Sequence, residues 1–182
     1  LRAVVRNSSG GKAVLNLFCY TGSFSVYAAE GNAKSVESVD LSNTYLNWAK
    51  ENMTLNGFSD SKKYIFTKGD VIKFLQEKKQ ENDTKYDLII LDPPTFSNSK
   101  MSLNMLDINK QWYELVNDCL NLLNPKGVLY FSTNSRRLIF DSALVLKQVG
   151  NSNVNISDIT EETIPQDFKG TKIHRCWKIQ LD

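Results

Sequence analysis

Short apolar runs alternate with amphipathic stretches along most of this chain. Five runs have the length and composition of buried strands, and they lie at 13–19, 34–40, 64–69, 86–92 and 127–134. Helical periodicity follows them, and the predicted helices cover 23–30, 43–56, 71–80, 105–123 and, more weakly, 139–149. Two runs near the end, VNISDIT and IHRCWKIQL, predict a pair of final strands with no helix between them.

This order of elements predicts the fold class. Strands that alternate with helices form a doubly wound α/β sheet whose crossovers are right-handed. We therefore expect a seven-stranded, mostly parallel sheet with an antiparallel last strand. The run YDLIILD at 86–92 is apolar on both sides, which is typical of a central strand covered on both faces. No repeat or domain boundary is visible, so residues 1–182 are predicted to form a single domain.

Composition narrows the function classes. The 182 residues carry a net charge of +2, which permits a nucleic-acid partner without requiring one. Three widely spaced cysteines and a single histidine, His174, argue against a disulfide framework, a zinc site and a Ser/His/Asp triad. These counts predict no metal and favour a cytoplasmic setting, and no apolar run approaches the roughly 18 residues needed to cross a membrane. Because the chain starts at Leu1 and not at Met, we expect a fragment of a longer protein.

The loop between the first strand and the first helix is the first candidate ligand site, because open α/β sheets bind ligands where their strands end. Its single glycine lets a ligand approach the backbone, and the helix N-terminus that follows favours a carboxylate or a phosphate. Neither G-x-G-x-x-G nor a P-loop motif is present, which argues against NAD and ATP. A plain turn is an equally weighted interpretation. The residues of this loop are Phe18, Cys19, Tyr20, Thr21, Gly22, Ser23 and Phe24.

Acidic residues end the second and third predicted strands. Asp40 is placed to accept hydrogen bonds from both hydroxyls of a ribose, or else to cap a helix. Asp70 is placed to accept from an adenine amino group, and a helix cap is the equally weighted interpretation. The neighbours predicted to contact the same ligand are Leu41, Ser42, Gly69 and Val71.

The most specific local pattern follows the fourth strand. It reads Asp92-Pro93-Pro94-Thr95-Phe96, and its two prolines hold an extended or turned backbone with outward carbonyl groups. An acid and an aromatic ring at this spacing can hydrogen-bond and stack on a planar base, whereas the simpler interpretation is a strand terminator with a surface Phe. Taken together, the three regions fit S-adenosylmethionine, with its ribose on Asp40, its adenine near Asp70 and its sulfonium facing Asp92.

The segments LNLFCYTGSFSVYAAEGNAKSVESVDLSNTYLNWAKENMTLNG and DLIILDPPTFSNSK closely resemble the methyltransferase module of bacterial 23S rRNA large-subunit methyltransferases. The similarity is greatest to the guanine-N7 methyltransferase domain of the bifunctional N2/N7 members, and it continues through YFSTNSRR and QDFKGTKIHRCW. The resemblance implies a class I Rossmann-like fold, S-adenosylmethionine as methyl donor and a 23S rRNA guanine as acceptor. It also implies catalytic roles for Asp92, Pro93, Pro94 and Phe96.

The resemblance favours guanine N7 as the target atom, and the chemistry is compatible with it. Cytosine-C5 enzymes need a cysteine nucleophile, and the stretch after the fifth strand, 131–135, contains none. Guanine N7 carries an in-plane lone pair, so its methylation depends mostly on positioning. Guanine N2 remains compatible with the same motif. Two hypotheses of a different kind stay open: a cofactor- or RNA-binding module that is inactive without a missing domain, and a methyltransferase for proteins or small molecules.

The expected partner is an unpaired or flipped base in 23S rRNA that is free of protein or at an early stage of assembly. A missing N-terminal region is expected to aid RNA binding. We expect Phe96 to stack on the base, His174 to be structural, and Trp48 and Trp112 to belong to the core. The candidate phosphate contacts, each equally compatible with a solvated surface, are Arg136, Arg137, Lys169, Lys172 and Arg175.

Overall fold

The computed structural model describes residues 1–81, 85–97, 106–148, 154–165, 168 and 174–182. The helices are α1 Arg2–Ser8, α2 Ser23–Glu30, α3 Asn43–Leu55, α4 Val71–Glu81, α5 Ile108–Asn121, α6 Ser142–Gln148 and α7 Thr160–Thr163. The strands are β1 Ala13–Leu17, β2 Ser35–Asp40, β3 Tyr64–Lys68, β4 Tyr86–Leu91, β5 Phe96–Ser97, β6 Leu106–Asp107, β7 Leu123–Thr133, β8 Val154–Asp158 and β9 Arg175–Leu181. In these ranges, no helix is both long and apolar enough to span a bilayer.

Seven strands form one sheet in the order β3-β2-β1-β4-β7-β9-β8. Neighbouring strands from β3 to β7 are parallel, and β9 runs antiparallel to both β7 and β8. The predicted seven-stranded sheet with an antiparallel last strand is confirmed. Because the chain winds outward in both directions from β1 and β4, the carboxyl ends of these two strands leave a crevice at the topological switch point.

The central strand β4 carries apolar side chains on both faces of the sheet. Leu88 and Ile90 pack with α1 and α2, whereas Ile89 and Leu91 pack with α4 and α5, and all four are fully buried. A strand that alternates between two apolar layers must lose water on both faces, which explains its continuous hydrophobic run.

Aromatic rings fill the core under α5 and the last strands. Phe131 stacks on Trp177 with ring centroids 5.6 Å apart, and Trp177 stacks on Phe140 at 4.4 Å. Trp112 joins them and is 3% exposed, as predicted. The corresponding prediction for Trp48 is wrong, because this residue is 46% exposed on the outer surface of α3.

The structure contains several short elements that the hydrophobic pattern does not predict. These are α1, the one-turn helix α7 between β8 and β9, and the antiparallel pair of strands β5 and β6. In addition, β7 begins at Leu123, earlier than the predicted 127, and the turn residues 124–127 interrupt its pairing with β4 as an irregularity. Each of these elements is too short to show a repeating pattern of apolar residues, or has no such pattern. Local hydrophobic periodicity therefore does not predict it.

Candidate active site

A cavity of about 750 Å³ opens at the carboxyl ends of β1, β2, β3 and β4. It therefore lies at the switch point of the sheet, where the sequence placed the ligand. The predicted residues that line it are Phe18, Tyr20, Asp40, Leu41, Ser42, Asp70, Val71, Asp92, Pro93 and Pro94.

Asp40 connects three loops at one wall of this cavity. Its Oδ2 accepts a hydrogen bond from the backbone N–H of Tyr20 at 3.0 Å, and its Oδ1 accepts from the N–H of Ser42 at 2.9 Å. Its carbonyl oxygen accepts from the N–H of Gly69 at 3.1 Å. Each carboxylate oxygen keeps a second lone pair for a ligand hydroxyl. Asp40 is thus held in place by the backbone while it faces the cavity.

The loop after β1 has an unusual backbone. Phe18, Tyr20 and Gly22 have φ values of 55°, 50° and 74°, all in the left-handed region. The loop is fastened by hydrogen bonds from Gly22 N–H to the Cys19 carbonyl at 2.8 Å and from Asn52 Nδ2 to the Thr21 carbonyl at 2.9 Å. Left-handed conformations in non-glycine residues are costly and concentrate at ligand sites. The positions of Phe18 and Tyr20 at the cavity wall agree with that tendency.

Gly22 makes a tight contact between this loop and α3. A Cβ added to it would lie 2.7 Å from the Cβ of Ala49, in addition to the cost of its positive φ. We expect Gly22→Ala to lower the free energy of unfolding by about 2–4 kcal/mol, measured by urea denaturation. Gly57→Ala is the matched control, because Gly57 has a φ of 83° and open space around it, and should cost only about 1 kcal/mol. Equal losses in the two variants would contradict a tight contact with Ala49.

Asp70 combines the two roles that the sequence left open. Its Oδ1 caps α4 by accepting hydrogen bonds from the backbone N–H groups of Ile72 at 2.9 Å and Lys73 at 3.4 Å. The same residue lines the cavity. A cap that faces a cavity is fixed in orientation by its helix, so its carboxylate is presented to the ligand space in a defined direction.

Asp92 directly follows β4 and lines the cavity. The hydroxyl of Ser132, on the adjacent strand β7, donates to its Oδ1. Burial raises the pKa of the Asp92 carboxyl, and the Ser132 hydrogen bond and the nearby His174 oppose that rise. Pro93 is buried and Pro94 is exposed, and both line the cavity. Phe96 is 62% exposed on β5 and does not line it.

The cavity lining contains some of the predicted site residues and others that the sequence did not predict. The predicted residues that lie outside the cavity lining are Cys19, Thr21, Gly22, Ser23, Phe24, Gly69 and Phe96. The lining residues that it missed are Asn43, Thr44, Tyr45, Lys68, Ile72, Leu106 and Asn134. Most of these follow a strand end directly or begin the next helix. The strand-end rule would have found Asn134 had it been applied to β7 as well.

The thiol groups are not placed as nucleophiles. Cys119 and Cys176 are fully buried, Cys19 is 4% exposed, and none of the three lines the cavity. Burial raises the pKa of Cys19 to about 12, so its thiol is protonated at neutral pH. Among the described residues, no group of three His, Cys, Asp or Glu side chains is arranged to hold a metal ion.

The predicted phosphate contacts fall into three groups. Arg136 and Arg137 are exposed just after β7. The Arg175 guanidinium donates to the carbonyl groups of Ser135, at 3.2 Å, and Leu138, and it stacks over Trp177 at 5.1 Å, which gives it a structural role. Lys169 and Lys172 lie outside the described residues.

Comparison with known proteins identifies the class that this fold and site define. The family model described as S-adenosylmethionine-dependent methyltransferase matches residues 1–160, and the chain belongs to this family. The cofactor predicted from the sequence, S-adenosylmethionine, is confirmed by that family. A solved structure of the protein SMU.776 complexed with SAH agrees, with a TM-score of 0.80 and 26% identity over 98% of this chain and 48% of that one. A methyltransferase structure from Agrobacterium tumefaciens has a TM-score of 0.74 and 26% identity, covering 99% of this chain and 59% of its own.

Curated relatives give a more particular likeness. The "Ribosomal RNA large subunit methyltransferase K" of Neisseria meningitidis is 46% identical over 98% of this chain and 48% of its own length. The "Ribosomal RNA large subunit methyltransferase K/L" of Pseudomonas aeruginosa is 43% identical over 100% of this chain and 23% of its own. The resemblance to large-subunit rRNA methyltransferases is thus confirmed. The chain spans about half the length of the first relative and under a quarter of the second.

The residues present fit S-adenosylmethionine. Asp40 offers a fixed carboxylate of the kind that binds ribose hydroxyls, and Leu41 and Val71 add apolar cavity wall suited to a planar base. The first loop, tied to α3 at Gly22, would hold the amino-acid portion of the cofactor. These residue roles remain predictions that binding measurements on single variants can check.

Proposed function

We propose that this chain transfers a methyl group from S-adenosylmethionine to N7 of a guanine in 23S rRNA. The observation that carries the proposal is the placement of Asp92-Pro93-Pro94 at the cavity wall that also contains Asp40, with no thiol among the lining residues. The names of the curated relatives support a large-subunit rRNA acceptor.

Methylation of guanine N7 requires the protein mainly to position the two reactants. Bound S-adenosylmethionine supplies a methyl carbon on a cationic sulfonium. The lone pair of guanine N7 forms the new C–N bond as the C–S bond breaks, so positive charge passes to the base and no proton needs to be removed. The chain's contribution is to hold the two reactants in line, which can account for about 7–11 kcal/mol of a barrier.

Asp92 suits the electrostatic part of this task. Its carboxylate is buried and is oriented by the Ser132 hydroxyl, so it needs no rearrangement to stabilise positive charge beside it. Pro93 and Pro94 restrict the backbone that follows it. Phe96 is exposed within four residues of Asp92, where we propose that it stacks on the acceptor base.

Guanine N2 is the second candidate target. A carboxylate whose pKa is raised by burial is a better proton acceptor, and an exocyclic amine must lose a proton when it is methylated. The product nucleoside separates the two cases, because N7-methylguanosine and N2-methylguanosine differ in chromatographic retention and fragmentation.

The RNA contacts are proposed to be shared with the rest of the full-length protein. The relatives are at least twice as long as this chain. Its net charge of only +2 is consistent with a basic region elsewhere in the full-length protein that binds the RNA phosphates. We propose that an N-terminal region aids RNA binding and that the substrate is protein-free or early-assembly 23S rRNA. Its three unpaired cysteines agree with action in the reducing cytoplasm.

The proposal is tested by transfer of radiolabelled methyl groups to isolated rRNA. The full-length protein should label 23S rRNA and leave 16S rRNA unlabelled, and protein-free 23S rRNA should be a better substrate than assembled large subunits. Labelling of proteins or small molecules without labelling of RNA would contradict the proposal. Cofactor binding without any transfer by the full-length protein would favour a binding module instead.

The pH dependence of transfer should report on Asp92. Because burial raises its pKa, the rate should rise with pH through an acid limb that lies above the ordinary Asp value of 3.8. Ser132→Ala removes a hydrogen bond that favours the ionised form, so the limb should move to higher pH. Ser157→Ala, at an exposed serine of β8, is the control and should leave the limb in place.

Another charged group acts on Asp92, namely the imidazole of His174. Burial lowers the pKa of His174, so its titration also falls on the acid side of the profile. Asp92→Asn separates the groups, because its residual transfer should have no acid limb if Asp92 is responsible. Persistence of the limb in Asp92→Asn would assign it to His174 and contradict the role given to Asp92.

A further inference from the structure

Three exposed aromatic rings form a row at the rim of the cavity, over the start of α3. The ring centroids of Tyr20 and Tyr45 are 4.6 Å apart in an edge-on arrangement, and those of Tyr45 and Trp48 are 6.2 Å apart. Tyr20 and Tyr45 line the cavity, whereas Trp48 does not. The three residues are 54%, 37% and 46% exposed, in that order. This aromatic row therefore connects the cavity with the outer surface.

The packing of the core does not account for the aromatic row. Tyr45 and Trp48 are three positions apart on α3, so they share one side of the helix. The buried residues of this helix are others, namely Leu46, Ala49 and Met53. Single exposed apolar residues are common on protein surfaces, whereas contiguous ones mark binding sites.

The aromatic row is held in place where it borders the cavity. Tyr20 has a left-handed φ of 50°, and its backbone N–H donates to Asp40 Oδ2 at 3.0 Å. The helix that carries the other two rings is fastened to the same loop, because Asn52 Nδ2 donates to the Thr21 carbonyl at 2.9 Å. Rings that are fixed before a ligand arrives lose little conformational entropy when they bind it.

The charges around the aromatic row suit a polyanion. The exposed residues at positions 43–50 include one cation, Lys50, and no acid. Lys68 is exposed and adds a second cation on the cavity wall. The carboxylates of Asp40 and Asp70 on that wall already accept hydrogen bonds from backbone N–H groups. Aromatic rings beside cations are the combination that binds unpaired nucleic acid.

We propose that the aromatic row of Tyr20, Tyr45 and Trp48 binds unpaired nucleotides that neighbour the target base in the RNA substrate, by stacking on their bases. Stacking tolerates any sequence because every base has an aromatic face. A strand whose target base enters the cavity brings its neighbouring nucleotides to the rim, where these rings are exposed. The inference rests on the proposed function and adds to it a surface that guides the RNA.

Trp48 is the residue to vary, because it is exposed and lies outside the cavity lining. Trp48→Leu keeps an apolar side chain but removes the ring, whereas Trp48→Phe keeps a ring. Fluorescence anisotropy on the full-length protein, saturated with S-adenosylhomocysteine, measures the affinity for a labelled unpaired RNA of about 12 nucleotides. Trp48→Leu should weaken this binding by about 5- to 100-fold and Trp48→Phe by less than about threefold. The same RNA annealed to its complement should bind wild type and Trp48→Leu equally, because pairing covers its bases.

Methyl transfer gives a second measurement on the same variants. With 23S rRNA as substrate, Trp48→Leu should raise KM by about 5- to 100-fold and change kcat by less than about twofold, because the ring holds the RNA and does not touch the reacting atoms. Its affinity for S-adenosylhomocysteine and its melting temperature should stay at wild-type values. Leu55→Ala is the matched control, since Leu55 is 83% exposed at the other end of α3, and it should change none of these quantities.

Three results would overturn the inference. Wild-type affinity of Trp48→Leu for unpaired RNA would remove the stacking role, and methyl transfer by the wild type would still uphold the proposed function. Loss of affinity for S-adenosylhomocysteine instead of RNA would make the aromatic row part of the cofactor site. Conversion of an oligomer to a monomer, seen by sedimentation with RNA affinity unchanged, would make it a protein interface.

Failure of the proposed function would be recognised separately. If the wild type methylates no rRNA but Trp48→Leu still weakens the binding of unpaired RNA, the proposed function is wrong and the stacking surface is upheld.

Discussion

Replacement of Asp40 by alanine is expected to weaken the binding of S-adenosylhomocysteine by at least about 100-fold. The change removes the acceptor proposed for two ribose hydroxyls, and each hydrogen bond to a charged group contributes about 1.5–3 kcal/mol. It also releases the backbone N–H groups of Tyr20 and Ser42, so the loops after β1 and β2 lose their common anchor. Isothermal titration calorimetry measures the affinity directly.

Asp60→Ala provides the matched control for this experiment. Asp60 Oδ1 also accepts a backbone hydrogen bond, from Lys62 at 2.9 Å, but the residue lies in an exposed turn away from the cavity. It should bind the cofactor product with wild-type affinity. If Asp40→Ala weakens binding by less than about threefold, the assignment of Asp40 to the cofactor is wrong.

Replacement of Asp92 by alanine is expected to lower the rate of methyl transfer by about 100- to 1,000-fold, the usual loss when one preorganised electrostatic group is removed. Affinity for S-adenosylhomocysteine should fall far less, by about 3- to 10-fold, because Asp40 and the first loop remain intact. Single-turnover transfer to 23S rRNA and calorimetry on the same preparation give the two quantities.

Two further variants sharpen this result. Asp92→Asn keeps the shape and the hydrogen-bonding capacity toward Ser132 but removes the charge, so a loss close to that of alanine would assign the effect to charge. Asp118→Ala, on α5 where Asp118 forms an ion pair with Lys79 of α4 at 3.6 Å and does not line the cavity, is the control and should transfer at the wild-type rate. Equal losses of rate and cofactor affinity in Asp92→Ala would give this residue a binding role only.

The architecture could be predicted because its signals are local. The central strands β1 and β4 are mostly apolar runs of five and six residues that are buried along most of their length, and the helices that follow the parallel strands show their own period. Helix caps also follow directly from the sequence: Ser42 caps α3 through the N–H of Tyr45 at 3.3 Å, and Asp70 caps α4. These features depend only on neighbours in sequence.

The remaining features depend on partners that are distant in sequence. The one-turn helix α7 is held by hydrogen bonds to Cys176 and His174, which local periodicity does not register. Trp48 is exposed, although the sequence predicts that it belongs to the core. The buried face of α3 is formed by Leu46, Ala49 and Met53, and Trp48 lies on another face of the helix. Hydrophobicity of one residue does not determine its side of a helix.

The candidate site also has some features that could be predicted from local sequence and others that depend on distant residues. The rule that ligands bind at strand ends located Asp40, Asp70 and Asp92 correctly at one cavity. The contact between Asp92 and Ser132 joins residues 40 positions apart, and the position of Asn134 at the cavity follows from the pairing of β4 with β7. Neither the Asp92–Ser132 contact nor the position of Asn134 could be predicted without knowing the register of the sheet.

The most direct test of the central claim is mass spectrometry of the nucleosides formed when the full-length protein methylates isolated 23S rRNA with isotopically labelled S-adenosylmethionine. The proposed function predicts labelled 7-methylguanosine that disappears with Asp92→Ala. Labelled N2-methylguanosine would contradict the choice of N7, and labelled 5-methylcytidine, or no labelled nucleoside, would contradict guanine methylation itself.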